Sequence, residues 1–149
     1  MRRGLAGEGP RRLRLRVCRP QSGSAAPCRP PRAAGSGLLV HPGAGDRAKR
    51  GELGFFFDKA EDLSRGEPVT FLLGPAEEES LERRITAAGF RLVRPAGLAE
   101  LARLVRAHRI FLGCDSGPAH LAALNGLTTH IRFISSDPFV WLPPGGIEV

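Results

Sequence analysis

From Leu38 onward the chain alternates five times between short apolar runs and segments of helical period, joined by brief links. LLVH at 38–41, VTFLL at 69–73, FRLV at 90–93, RIFLGC at 109–114 and THIRFI at 129–134 read as strands. Between them, 52–66 places Leu53, Phe56, Phe57, Ala60 and Leu63 at helical spacing, with Gly66 as the stop. Residues 76–89 form an acid-started helix with Leu81, Ile85 and Ala88 inward, and 98–108 puts Leu98, Leu101, Ala102 and Val105 on one face. A further small-residue helix runs over SGPAHLAALNG at 116–126. Strands that are apolar almost throughout, each followed by a helix, predict a parallel sheet covered on both faces. Right-handed crossovers then give a doubly wound, Rossmann-like α/β domain, whose ligands bind at the carboxyl ends of the strands.

The basic charge lies mostly outside that region. The net charge is +7 over 149 residues, but residues 1–37 hold nine arginines and a single acid, Glu8. Taking that +8 from +7 leaves −1 on the other 112 residues. The Arg/Pro/Gly-rich 1–37 segment has too little apolar surface to offset its ordering entropy, so it is expected to be disordered, with 38–149 as the folded domain. A basic tail of this kind attracts polyanions, but it lacks the interleaved aromatics that stack on bases, and no specific nucleic-acid function is expected. No apolar run approaches the roughly 20 residues needed to span a bilayer. Arg11, Arg12, Arg14 and Arg16 interrupt anything resembling a secretory h-region. Cys18, Cys28 and Cys114 have no zinc spacing, so no metal is expected, and Cys114 reads as a small buried hydrophobe. Cysteine usage suits a reducing, cytoplasmic setting.

The unusual residues fall at the carboxyl ends of the predicted strands. After the fourth strand comes DSGPAH at 115–120. Asp115 or Ser116 can cap the following helix, and Pro118 suits its first turn. Capping does not require Gly117 or His120, whereas a helix N-terminus with free N–H groups is also a ready anion site. After the first strand comes HPGAGDRAK at 41–49, where Lys49 can reach back over a Gly43/Gly45 turn. This is neither a P-loop nor a GxGxxG turn, and it also reads as a surface loop, with His41 a simple strand-end residue. After the second strand comes GPAEEE at 74–79, where the glutamates complement a helix dipole and Glu77 is also placed to hold a ribose hydroxyl.

Together, HPGAG at 41–45, Lys49, GPAEEE at 74–79, DSGPAHLAALNG at 115–126 and SDPFVW at 136–141 resemble one family in order, spacing and placement. The family is glycosyltransferase family 9, the lipopolysaccharide heptosyltransferases, and the resemblance spans about 38–146. It implies a GT-B architecture of two Rossmann-like domains, of which this chain corresponds to the C-terminal, nucleotide-sugar-binding half. It implies inverting, metal-independent transfer from an ADP-heptose type of donor to a lipid-linked glycan acceptor, with no cofactor beyond that donor substrate. In that frame Ser116 and Gly117 would offer donors to the diphosphate, and Lys49 a point charge. Asp115 would hold sugar hydroxyls, His120 would steady the loop, and Glu77 would contact the ribose. No catalytic residue is expected in this chain, since the family's general base belongs to an acceptor domain. The resemblance also implies a cytoplasmic enzyme, at most peripheral to the inner membrane.

The sequence departs from the family pattern at 133–138, where FISSDP stands for FGPTDP, and at His130 and Arg132, which suggest relaxed packing or an exposed edge. Two ordinary domains do not fit in 149 residues. The alternative expectation is therefore a non-catalytic fragment that binds ADP or an ADP-sugar, from a truncated or frameshifted gene. A third reading is a basic-tailed surface-binding protein. Phe139, Val140 and Trp141 are expected near an exposed cleft face that favours self-association.

Overall fold

A computed structural model of the chain describes residues 33–45, 51–75 and 77–149. The elements run β1 (Leu38–His41), α1 (Leu53–Ser64), β2 (Val69–Leu72), α2 (Glu79–Ala87), β3 (Arg91–Val93), α3 (Leu98–Arg106), β4 (Ile110–Cys114), α4 (Gly117–Leu124), β5 (Thr128–Arg132), α5 (Pro138–Trp141) and β6 (Ile147–Glu148). They build a six-stranded sheet in the order β3-β2-β1-β4-β5-β6, with every pairing parallel. This is the Rossmann-like, doubly wound arrangement expected from the alternation. The strand order reverses between β1 and β4, where such sheets open a ligand crevice.

Strand alternation splits the core into two layers. Leu38, Val40, Phe71, Leu73 and Leu112 pack on one face against Phe56 and Ala60 of α1 and Ile85 of α2. Leu39, Leu72, Phe111 and Ile131 pack on the other against Val105 of α3 and Ala119 and Ala122 of α4. Around Phe71, Phe57 stacks on Phe90 at 5.2 Å between ring centroids. Phe71 meets Phe90 at 4.9 Å and Phe57 edge-on at 5.6 Å. Arg65 and Gly66, with φ of 50° and 85°, turn the chain left-handedly out of α1, which is why the helix stops there.

Several local expectations are corrected. The second helix begins at Glu79 rather than Ala76, and Ala88 is its exposed C-cap rather than an inward residue. Leu98, the first residue of α3, is 73% exposed rather than inward. β5 is not an edge strand, since β6 pairs with it through His130–Ile147 and Ile131–Glu148. Arg132 instead lays its guanidinium 3.9 Å from the Phe55 ring centroid, a cation–π contact with α1. His130 is half-buried beneath the same helix, and burial, then the charge of Lys59, pushes its pKa down.

The expected disorder of the N-terminal segment falls, over 1–32, outside the described residues. Residues 33–37 are described, and they tie to the sheet's far end: Ala33 N donates to Gly126 O at 3.3 Å and Ser36 N to Ala107 O at 3.1 Å. Among the described residues no helix is long and apolar enough to cross a membrane.

Candidate functional site

The loops after β1, β2 and β3 surround a cavity of about 620 Å³ at the carboxyl edge of the sheet. His41 and Leu72 form its floor side, Glu77 and Arg94 its polar wall, and Ala96 and Pro118 part of its apolar wall. Pro118 belongs to the first turn of α4, so the helix that follows the strand-order reversal reaches the same cavity. A pocket with an apolar majority and a few convergent polar groups is the usual form of a small-molecule site.

Glu77 is buried where two glycine turns meet. Its Oε2 accepts from the Gly74 N–H at 2.6 Å. Its Oε1 lies so close to Gly43 that a Cβ there would collide with it, so only glycine leaves room for the carboxylate. Arg94, just past β3, holds this loop from outside. Its Nη1 donates to the Gly74 carbonyl at 2.6 Å, its Nη2 to the Glu77 carbonyl at 3.4 Å, and its Nε to Glu82 Oε2 at 2.9 Å. His41, also buried, donates from Nδ1 to the Leu72 carbonyl at 3.0 Å. Burial lowers its pKa, opposed by that carbonyl and by the Glu77 charge, so the ring is neutral at pH 7.

Asp115, Ser116, Gly117 and His120 gather at the start of α4. Asp115 is buried, and His120 Nε2 lies 3.3 Å from its Oδ1. Ser116 occupies the N-cap position in extended conformation, yet its hydroxyl makes no capping bond. The Oγ is buried without any hydrogen-bond partner. Capping therefore does not account for this hydroxyl, and the exposed Gly117 leaves the backbone of the turn open to approach. Free N–H groups and the positive end of the helix dipole make the turn receptive to an anion. Lys49 lies outside the described residues. The structure thus brings Glu77 onto the cavity wall, and groups the four residues of 115–120 beside it at the helix end that contributes Pro118.

Two contributors escaped the sequence reading. His41 had only strand-end status, and Arg94 was not considered. The one local signal for Arg94 is its place immediately after a strand, in VRPAG, where the other loops of the site also begin. Cys114, buried as expected, has its thiol pKa raised chiefly by burial, so it is not an activated nucleophile. Among the described residues no three His, Cys, Asp or Glu side chains come together as metal ligands.

A doubly wound parallel sheet with a cavity and an open helix N-terminus at its carboxyl edge defines a Rossmann-like α/β domain. The sequence of residues 36–126 matches the model of glycosyltransferase family 9 (heptosyltransferase), and the chain belongs to that family. The fold is similar to that of the E. coli heptosyltransferase WaaC solved with ADP, at a TM-score of 0.67 and 17% identity, over 80% of this chain and 39% of that one. It is also similar to a glycosyltransferase family 9 protein from Veillonella parvula (TM-score 0.62, 20% identity, 78% and 35% of the two chains). A third likeness is to E. coli ADP-heptose lps heptosyltransferase II (TM-score 0.60, 22% identity, 85% and 40%). The chain spans between about a third and two fifths of these proteins' length. A comparison of the sequence with curated proteins finds no match.

Proposed function

We propose that this domain is the donor-binding, C-terminal half of a GT-B, inverting, metal-independent glycosyltransferase that takes an ADP-sugar of the heptose type. The observation that carries the reading is the shared position of the Glu77-walled cavity and the open α4 N-terminus at the sheet's switch point. The cavity has the size and apolar walls for a nucleoside, and Glu77 has the chemistry for its ribose hydroxyls. The backbone of Gly117 and the unpartnered hydroxyl of Ser116 suit a diphosphate, with Lys49 adding charge. Asp115, braced by His120, suits the hydroxyls of the sugar. One relative, the E. coli heptosyltransferase WaaC, solved both with ADP and with ADP-2-deoxy-2-fluoro heptose, supports the class of ligand.

In the reaction, an acceptor hydroxyl on a lipid-linked glycan attacks the anomeric carbon. The bond from that carbon to the diphosphate oxygen breaks, its electron pair leaves with ADP, and the hydroxyl proton passes to a base on the acceptor domain. The dipole of α4 stabilises the charge that develops on the leaving diphosphate. Without an acceptor domain the same site holds ADP or an ADP-sugar without turnover, since positioning one reactant alone gives little rate. The setting proposed is cytoplasmic, with peripheral contact at the inner membrane.

Calorimetric titration of ADP into the purified chain tests this, beside Asp115→Ala and Lys49→Ala. Saturable binding that weakens about tenfold in the lysine variant is the expected result, the scale of one charge-assisted contact. No binding up to millimolar ADP overturns the proposal.

A further inference from the structure

We propose that Arg94 is a positioning residue for nucleoside recognition, setting the Glu77 carboxylate through the backbone of the loop that carries it. The inference rests on the nucleotide reading above. Three donors of one guanidinium engage that loop and its helix: the carbonyls of Gly74 and Glu77 and the carboxylate of Glu82. Gly74 is held at both of its backbone groups, on two successive peptide planes: its carbonyl takes Arg94 while its N–H donates to Glu77 Oε2. Arg94 therefore braces the turn at both its ends, at the residue whose N–H meets the carboxylate and at the residue that carries it. Gly43 blocks the far side of the same group, so the carboxylate sits between an N–H that orients it and a backbone wall that stops it. A guanidinium suits this role better than an ammonium, since its planar fork serves several acceptors in fixed geometry. Arg94 also lines the cavity itself, next to the apolar Pro95–Gly97 stretch, so one residue joins the wall that carries Glu77 to the apolar wall.

Comparison of ADP with 2′,3′-dideoxy-ADP separates positioning from plain structural support. A residue that only supports the domain alters the affinity for both ligands alike. A residue that aims Glu77 alters only the affinity that depends on ribose hydroxyls. The wild-type chain is expected to prefer ADP by about tenfold or more, the scale of hydrogen bonds to a charged group. Glu77→Gln and Arg94→Met are each expected to shrink that preference to less than about threefold, with ADP weakened more than dideoxy-ADP. Arg94→Lys, which keeps the charge but reaches fewer acceptors, is expected to fall between wild type and Arg94→Met. It also carries the test should Arg94→Met not fold.

A wild-type preference kept in full by Arg94→Met or Arg94→Lys overturns the proposal, as does equal weakening of both ligands. A wild-type chain that binds ADP without preferring it to the dideoxy form overturns the ribose role of Glu77 and this inference, while leaving nucleotide binding standing. A wild-type chain that binds neither overturns the nucleotide reading itself.

Discussion

Buried histidines and a glycine whose missing side chain is filled by a carboxylate give the clearest consequences of single residues. His41 and His130 both have pKa values pushed below 6.5, in each case chiefly by burial. The unfolded chain therefore takes up protons near pH 6.5 while the folded chain resists them, and stability falls as pH drops below that value. Urea unfolding at pH 7.5 and 5.5 is expected to show this loss, with a slope of up to about 1.4 kcal/mol per pH unit for a fully resisted site. His41→Asn, which keeps a donor for the Leu72 carbonyl but cannot titrate, is expected to reduce it. At Gly43 a methyl group would press on Glu77 Oε1, so Gly43→Ala is expected to cost about 1–3 kcal/mol by overpacking and to weaken ADP binding together with it. Denaturant unfolding and the ADP titration read the two effects separately. Neither His41 nor Arg94 could have been placed from sequence. Their roles depend on the parallel register that sets β2 beside β1 and β3 beside β2, bringing His41, the loop after Leu72 and Arg94 together across long sequence gaps.

The elements were the more legible scale, because continuous apolar strands and helical period are local signals. All five expected strands are present, and DSGP does stand at a strand-to-helix junction. The two-residue β6, behind Pro-Pro-Gly-Gly, has no pattern to find and exists only through its pairing with β5. Leu98 and Ala88 show the limit of helical period: both fit a stripe by spacing, but each stands at a helix end and is exposed. For α4, capping and ligand binding predict different outcomes. Ser116→Ala would cost about 1 kcal/mol if the hydroxyl capped the helix. Because it makes no such bond and is buried unpartnered, the apo domain is expected to lose less than about 0.5 kcal/mol while ADP binding weakens. Thermal melts with and without ADP distinguish the two. At the centre of the α1/α2 layer, Phe71→Ala removes the ring against which both Phe57 and Phe90 pack, and a cost of about 3–5 kcal/mol is expected from chemical denaturation.

At the scale of the molecule, six of the eight large apolar side chains exposed among the described residues fall between residues 134 and 147. Phe139 is fully exposed and Val140 is 68% exposed, with Trp141, Leu142, Ile134 and Ile147 also open to solvent around α5 and the β6 edge. Scattered apolar residues on a surface need no explanation, but six large ones concentrated between residues 134 and 147 form the kind of patch that drives association. β6 also ends the sheet there and offers an unpaired strand edge among the described residues. The purified chain is therefore expected to self-associate with rising concentration in light scattering. Association through this patch is apolar, so it should persist or strengthen in sulfate and be suppressed by Phe139→Glu, which removes apolar area and adds charge without touching a buried side chain. Association through the arginine-rich 1–37 segment would instead require a polyanion and would fade in about 0.5 M salt. A chain that stays monomeric at high concentration, or a Phe139→Glu variant that associates as readily as wild type, would show that α5 and β6 are not the contact.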